Sequence, residues 1–247
     1  MTGDADLSRV AELIAEPARS RILIALASGR ELSASMLAQE AGVGRPTASA
    51  HLKKLTGGRL IAVRAEGRSR YYRLAGSAVF DVLERLMELA PPEPITSLRA
   101  STRAAQLRYA RSCYDHLAGQ LGVGLMQSML DRGFLRGGDG GYDPDTAGAD
   151  RPASFGRDVD YQLTGSGRDF LNDLGVRLPG GRRPLIRYCV DWTETRHHLA
   201  GQLGRGLRDH LLEAGWVQPR PESRAIRITS DGAAGIRKTF GLVLEAG

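Results

Sequence analysis

Cysteine and histidine can hold a thiophilic metal, carry redox chemistry or act as nucleophile and base. The chain has two cysteines and five histidines, and five of these seven gather around one repeated string. His-Leu-Ala-Gly-Gln-Leu-Gly occurs at 116–122 and again at 198–204. Cys113 stands just ahead of the first copy, and Cys189, with Asp191, Glu194 and His197, ahead of the second. A spacing of three would put Cys113 and His116 on one face of a helix. If the copies pack as a symmetric pair, Cys113, His116, Cys189 and His198 converge as two sulfurs and two imidazole nitrogens. That donor set suits zinc or another thiophilic transition metal, with Asp115 or Asp191 behind the histidines. Other chemistries use the same residues. Cys113 and Cys189 can form a reversible disulfide if their Cα atoms come within ~7 Å. A Cys with His and Asp can make a nucleophilic enzyme site. Buried core, where cysteine is common, needs no ligand at all. Trp192, Trp216, Tyr114, Phe134 and Tyr188 either line an apolar pocket for an organic effector or belong to ordinary core. Met126 and Met129 are expected in the core.

The duplication extends beyond the string. The first copy reads RYARSCYDHLAGQLGVGLMQSMLDRGFL and the second IRYCVDWTETRHHLAGQLGRGLRDHLLEAGWV. Each ends on Gly, an aromatic and an aliphatic residue: Gly133-Phe134-Leu135 and Gly215-Trp216-Val217. Each continues into a Thr- and Gly-bearing strand, YQLTGSG or IRITSDG, and a closing helix. Helix, strand, strand, helix is the order of a winged helix, so residues 99–176 and 177–247 are expected to be two winged-helix-like repeats. The Gly- and Asp-rich segment 137–157 is expected as a mobile insert in the first. The repeat helices are near neutral, which suits a sensing or assembly domain.

The first ninety residues differ in charge. From Arg45 to Arg73 the basic residues are Arg45, Lys53, Lys54, Arg59, Arg64, Arg68, Arg70 and Arg73, and the one acid is Glu66. Such a local excess forms a phosphate-binding face. Apolar spacing predicts helices over DLSRVAELIAE, over PARSRILIALASG opened by Pro17 and ended by Gly29, and over SASMLAQEAG between an N-cap at Ser33 and a stop at Gly42. A GVG turn leads to RPTASAHLKKLTGGRL, with Ala48, Leu52 and Leu55 inward. Two short helices joined by a glycine turn make a helix-turn-helix. LIAVRAEGRSRYYRL then predicts a hairpin turning at Glu66-Gly67. A last helix, SAVFDVLERLMELA, stops at Pro91-Pro92. Residues 1–90 are therefore a winged helix-turn-helix domain, joined by a Pro-rich linker at 91–98 to the repeats. The fold class is mostly α with small β-hairpins (α+β).

The strings EPARSRILIAL, LSASMLAQEAGVGRPTASAHLKKLTGGRLI and VRAEGRSRYYRL together resemble the ArsR family of bacterial regulators over about residues 6–90. The resemblance implies double-stranded DNA as partner, repression, and a homodimer built on the first and last helices of the module. Two recognition helices would then meet a palindromic operator about one turn of DNA apart. Arg45–Lys54 would enter the major groove, with Thr47, Ser49 and His51 at base edges. Lys53, Lys54, Arg68 and Arg70 would contact phosphates, and Arg45 opens this helix. Many relatives bind metal through cysteines in the helix before the recognition helix, or through Asp and His on the last helix. Here SASMLAQEAG holds no cysteine and the last helix no histidine, so sensing of a metal ion or small-molecule effector falls to the second half. Some two-part relatives carry strings similar to CYDHLAG and CVDWTETRHHLAG.

Composition bounds the rest. The 247 residues, 42% hydrophobic and 25% charged with net charge +6, fit two or three small globular domains. No apolar run nears the ~18–20 residues of a membrane span. The N-terminus is polar, and two cysteines are too few for a disulfide framework. These features point to the cytoplasm and to no membrane partner. No Walker loop or nucleophile elbow supports an enzyme. The expectation is a sequence-specific DNA-binding regulator with a C-terminal sensing or assembly domain. A redox-sensing or ligand-free structural DNA-binding protein is the alternative, and a Cys-dependent enzyme the remote one.

Overall fold

Glu16 and Pro17 set the first corner of the chain. Helix α1 (Leu7–Ala15) ends there, and the Glu16 side chain accepts the Ala18 and Arg19 N–H groups at the start of α2 (Pro17–Leu26). The computed structural model describes residues 6–27, 31–67, 69–90, 98–152, 155–181, 183–220 and 223–244. The chain divides into two compact units, 1–83 and 84–247. That division falls inside a helix, whereas composition placed it at the Pro-rich 91–98; residues 91–97 lie outside the described residues.

In the first unit, β1 (Leu32–Ser33) precedes α3 (Ala34–Ala41), whose N-cap is Ser33 and whose C-cap is Gly42 at φ 68°. Next come α4 (Arg45–Gly57), β2 (Ile61–Glu66), β3 (Ser69–Leu74) and α5 (Ser77–Leu89), which continues past residue 83. The strands form one antiparallel sheet in the order β1-β3-β2, with Leu32 opposite Tyr72 and Ile61 opposite Leu74. Ile22, Leu23, Leu26, Leu37, Leu52 and Leu55 are fully buried between the helices, each worth about 1.5–3 kcal/mol. Helix, turn, helix and wing thus follow the sequence expectation.

The second unit holds α6 (Leu98–Tyr109) and then one order of elements twice. First come hairpin β4 (Arg111–Cys113)–β5 (His116–Ala118), helix α7 (Gly119–Asp131), hairpin β6 (Leu135–Arg136)–β7 (Gln162–Leu163) and helix α8 (Gly165–Leu174). Then come β8 (Arg187–Val190)–β9 (His197–Ala200), α9 (Gly201–Glu213), β10 (Val217–Pro219)–β11 (Ile226–Ile228) and α10 (Ser230–Phe240). Leu121, Leu125, Met126, Met129, Leu203, Leu207 and Leu211 form its apolar core. Among the described residues no helix is long and apolar enough to cross a membrane.

The repeated string earns its glycines here. Gly119 and Gly201 enter their helices at φ 72° and 77°, a backbone that L side chains rarely adopt. A Cβ on Gly122 would lie 2.3 Å from the Leu117 carbonyl oxygen and 3.5 Å from the His198 Cβ. One on Gly204 would lie 2.4 Å from the Leu199 oxygen and 3.2 Å from the His116 Cβ. The string is therefore a strand-to-helix corner in which each copy's glycine admits the other copy's histidine.

One expectation changes. The segment ahead of each string is a hairpin, not a helix: Cys113 pairs directly with His116 across β4–β5, around Tyr114 at φ 56°. The two side chains still meet, as cross-strand neighbours rather than helical ones. The described part of the insert 137–157 makes contacts with the rest of the unit. Asp150 is buried and accepts the Asp158 N–H and the Tyr188 hydroxyl, and Phe155 bridges to Cys189.

Candidate nucleic-acid interface and candidate metal centre

Helix α4 buries Ala48, Leu52 and Leu55 and leaves Arg45, Thr47, Ser49, Lys53 and Lys54 exposed. The first turn of α4, the start of α3 and the wing enclose a cleft of about 300 Å³, lined by Ser33, Ser35, Arg45, Ser49, Ser69 and Arg70. Cations, hydroxyls and helix-terminal N–H groups together suit phosphate oxygens. Ser35 and Ser69 are additions that charge counting alone does not find. Arg68 lies outside the described residues. His51 departs from expectation: it is half-buried, with Nδ1 3.4 Å from Glu16, so it braces the α1–α2 corner instead of facing solvent with Thr47 and Ser49. Burial would raise the Glu16 pKa, but the Arg19 and Ala18 N–H groups and the His51 charge bring it below 4.5. The basic face is also less free than the sequence suggests. Glu31, outside the basic window, pairs with Arg64 at 2.8 Å and Arg73 at 3.8 Å.

Cys113, His116, Cys189 and His198 are all buried, and their donor atoms all lie within 4.8 Å of one another. Neither cysteine is in a disulfide. Cys113 and His116 come from β4–β5, and Cys189 and His198 are the corresponding cross-strand pair of β8–β9. The His116 Nε2 lies 3.4 Å from the Cys189 Sγ, and the two imidazoles stand 5.2 Å apart. The outer nitrogens meet carboxylates: His116 Nδ1 lies 3.4 Å from Asp115, and His198 Nδ1 lies 3.1 Å from Asp191. A carboxylate can only accept, so each favours the proton on Nδ1 and turns Nε2 toward the sulfurs. Zinc bonded at about 2.3 Å to sulfur and 2.0–2.1 Å to nitrogen needs ligand atoms roughly 3.3–3.8 Å apart. The His116 Nε2–Cys189 Sγ distance falls in that range and all four donor atoms lie within 4.8 Å of one another, with a carboxylate near each histidine as in many metal sites.

The two carboxylates are held differently. Asp115 is paired with Arg183, and both remain partly exposed. Asp191 is fully buried and accepts from Arg111 Nη2 at 2.8 Å, the Gly119 N–H at 2.7 Å and the Thr193 hydroxyl at 2.7 Å. Burial alone would raise both carboxyl pKa values; their histidine and arginine neighbours hold them well below the usual carboxylate range. Burial would lower the His198 pKa, but the close Asp191 carboxylate and Cys113 raise it to about 9. His116 moves up as well, burial being outweighed by Cys113 and Asp115.

His197, adjacent to His198, points elsewhere because neighbouring strand residues face opposite sides. It contacts the Tyr161 hydroxyl at 2.8 Å, and burial pulls its pKa down to about 4. Four of the five aromatics named for an effector pocket have other partners. Phe134 stacks on Phe170, Trp216 meets His210, Tyr188 meets Tyr161, and Trp192 lies under Arg111. Arg111, Gly119 and Thr193 are the members of the centre that sequence reading missed.

A helix-turn-helix domain model matches residues 14–64. The chain is 37% identical over 236 residues to the uncharacterized HTH-type transcriptional regulator YdfF of Bacillus subtilis, covering 94% of this chain and 96% of YdfF. It is 32% identical over 103 residues to the HTH-type transcriptional regulator CmtR of Mycobacterium tuberculosis, covering 40% of this chain and 86% of CmtR. Among solved structures, one neighbour is the homodimeric winged helix-turn-helix DNA-binding domain of a possible ArsR-family regulator from Mycobacterium bovis. It shows 33% identity over 36% of this chain and 89% of that one, with a TM-score of 0.32. Another is the cadmium metal-sensor CmtR of M. tuberculosis, at 31% identity over 37% and 99% of the two chains and a TM-score of 0.28.

Proposed function

The chain belongs to the ArsR-like helix-turn-helix transcriptional regulators, and from that premise we propose that it is a cytoplasmic, metal-responsive repressor whose sensor is the four-residue centre of its C-terminal unit. The observation that carries this reading is the buried Cys113/His116/Cys189/His198 set, with a carboxylate behind each histidine. Four protein donors leave no open coordination position, which suits a structural or sensing ion rather than a catalytic one. Zinc, or a thiophilic ion of similar geometry, would join the β4–β5 and β8–β9 hairpins. The relatives are transcriptional regulators, and no enzymatic role is assigned to the cysteines.

DNA is read by the N-terminal unit. Helix α4 enters the major groove with Thr47 and Ser49 at base edges, and Arg45, Lys53, Lys54, Arg70 and Arg68 hold phosphates. Leu7 and Val10 on α1, and Val82, Leu86 and Leu89 on α5, are apolar and exposed. Side chains of this kind suit a second copy of the chain, giving a homodimer on a palindromic operator. The two repeats, 99–176 and 177–247, act as one effector domain.

The test is operator binding by fluorescence anisotropy, on a site selected from random duplexes, with and without zinc chloride under reducing conditions. A metal-linked regulator changes affinity at least about fivefold, the low end of allosteric coupling. Equal affinity with zinc, copper, nickel, cobalt and no metal would overturn the sensing role. Thiol oxidation is the second reading, favoured by the two sulfurs lying within 4.8 Å of each other. An oxidant that alters operator binding of metal-free protein would support it.

A further inference from the structure

We propose that Asp191 is a positioning residue that ties the metal centre to the last turn of α6, so that metal occupancy is read at the helix leading back to the DNA-binding unit. This rests on the metal-centre reading above. One Asp191 oxygen faces His198 Nδ1 at 3.1 Å and takes the Gly119 N–H, at the start of α7, at 2.7 Å. The other takes Arg111 Nη2 at 2.8 Å, the Thr193 N–H at 2.9 Å and the Thr193 hydroxyl. Arg111 passes the connection on: its Nη1 donates to the Leu107 carbonyl of α6 at 3.2 Å and to the Thr193 Oγ1 at 2.9 Å. Gly119 closes the joint from the other side, since a Cβ there would lie 2.5 Å from the Arg108 carbonyl oxygen. One carboxylate thus touches a metal-ligand histidine, the N-terminus of α7 and, through a single guanidinium, the C-terminus of α6.

Arg111 and Asp191 side chains are 2% and 0% exposed. A buried, fully hydrogen-bonded pair has no room to absorb a displacement, so movement of the His198 ring is passed on rather than dissipated. Histidines that hold a metal typically give their other ring N–H to such a carboxylate, and the 3.1 Å approach of His198 Nδ1 to Asp191 sets the two groups within reach of that bond. The other half of the centre lacks this path. Asp115 is held by the partly exposed Arg183, and Gly201, the counterpart of Gly119, abuts Pro184 and Leu185 in irregular chain rather than a helix. The residue at the far end of α6 is Leu98, immediately after residues 91–97. The connection therefore lies on the one covalent route between the two units.

Trp192 supplies a local reporter, because the Arg111 guanidinium lies 4.7 Å from its ring. The chain has two tryptophans, so a Trp216→Phe background leaves Trp192 alone. Zinc chloride is titrated into this protein and into its Asp191→Asn and Asp115→Asn derivatives, following Trp192 emission, bound zinc and operator affinity. Asp191→Asn is expected to weaken zinc binding 10–100-fold, the range for a residue behind a ligand. Once the variant is saturated, it should also lose the emission change and the zinc-dependent change in operator affinity. Asp115→Asn should keep both responses. If Asp191→Asn does not fold, amide hydrogen exchange on wild type decides: zinc should slow exchange at Gln106–Ala110 and Gly119 and leave Leu185 and Ile186 less affected. Responses of wild-type size in saturated Asp191→Asn, or zinc protection without preference for the α6 side, would overturn the coupling while leaving the metal centre standing. Wild type that binds no zinc would overturn the metal-centre reading and this inference with it.

Discussion

On α4 the buried positions are Ala48, Leu52 and Leu55, and the chemically active side chains face solvent. On the two hairpins of the second unit the order is reversed: Cys113, His116, Cys189 and His198 are enclosed, and their supporting carboxylates lie behind them. The difference decides how each region can respond to change. Exposed charges and hydroxyls act in high dielectric nearly one by one, each for about 1 kcal/mol or less. Enclosed groups share partners, so losing one leaves the others unsatisfied. The DNA face should therefore fail in small additive steps, and the centre all at once.

The largest expected effect is at the ligands. Cys189→Ser should weaken zinc binding by more than about 100-fold, beyond the 10–100-fold seen for residues behind a ligand. Adding Cys113→Ser should make it little worse, as expected for groups that act as a unit. Isothermal titration under reducing conditions measures both. Next are the carboxylates: removing Asp191 strands the buried Arg111 guanidinium, so Asp191→Asn should cost about 3–5 kcal/mol in urea unfolding. Asp115→Asn, with a pair 15% and 30% exposed, should cost about 1 kcal/mol or less. Equal costs would erase the contrast between the two halves of the centre.

On the exposed side the steps shrink. Thr47→Ala and Ser49→Ala should each cost about 1 kcal/mol on operator DNA and little on random duplex, and the double variant should be additive within about 0.5 kcal/mol. Glu16→Ala removes a helix cap and should cost about 1 kcal/mol of stability near neutral pH. Because the folded Glu16 pKa lies below 4.5, its contribution is complete above that pH and disappears as pH falls through the folded value. The gap between wild type and Glu16→Ala should therefore close in acid. Arg70→Ala should weaken binding to all sequences alike and reduce the salt slope by about 1.

The sequence carries the first unit well, because its signals are local. Ser33, Gly42, Pro17 and the Ala48–Leu52–Leu55 stripe each act within one or two turns. What it misplaces there depends on distant chain: Glu16 draws His51 inward, and Glu31 pairs with Arg64 and Arg73. In the second unit the repeated string anticipates that Cys113, His116, Cys189 and His198 gather, since identical corners built on Gly122 and Gly204 pack alike. The local structure misleads because a spacing of three fits a helix as well as a two-residue turn, and three-residue strands are too short to show alternation. Nothing near Asp191 announces Arg111, 80 residues away, or Gly119, 72 away. Such joints are legible only in three dimensions.

The most direct test of the central claim is the metal content of the purified protein by elemental analysis, for wild type and for Cys113→Ser and Cys189→Ser. The account predicts one thiophilic metal per chain in wild type, or its uptake when zinc chloride is supplied under reducing conditions, and none in either variant. A wild-type protein that takes up no zinc, copper, nickel or cobalt would contradict it, leaving the DNA-binding unit as described and the four enclosed residues without a metal role.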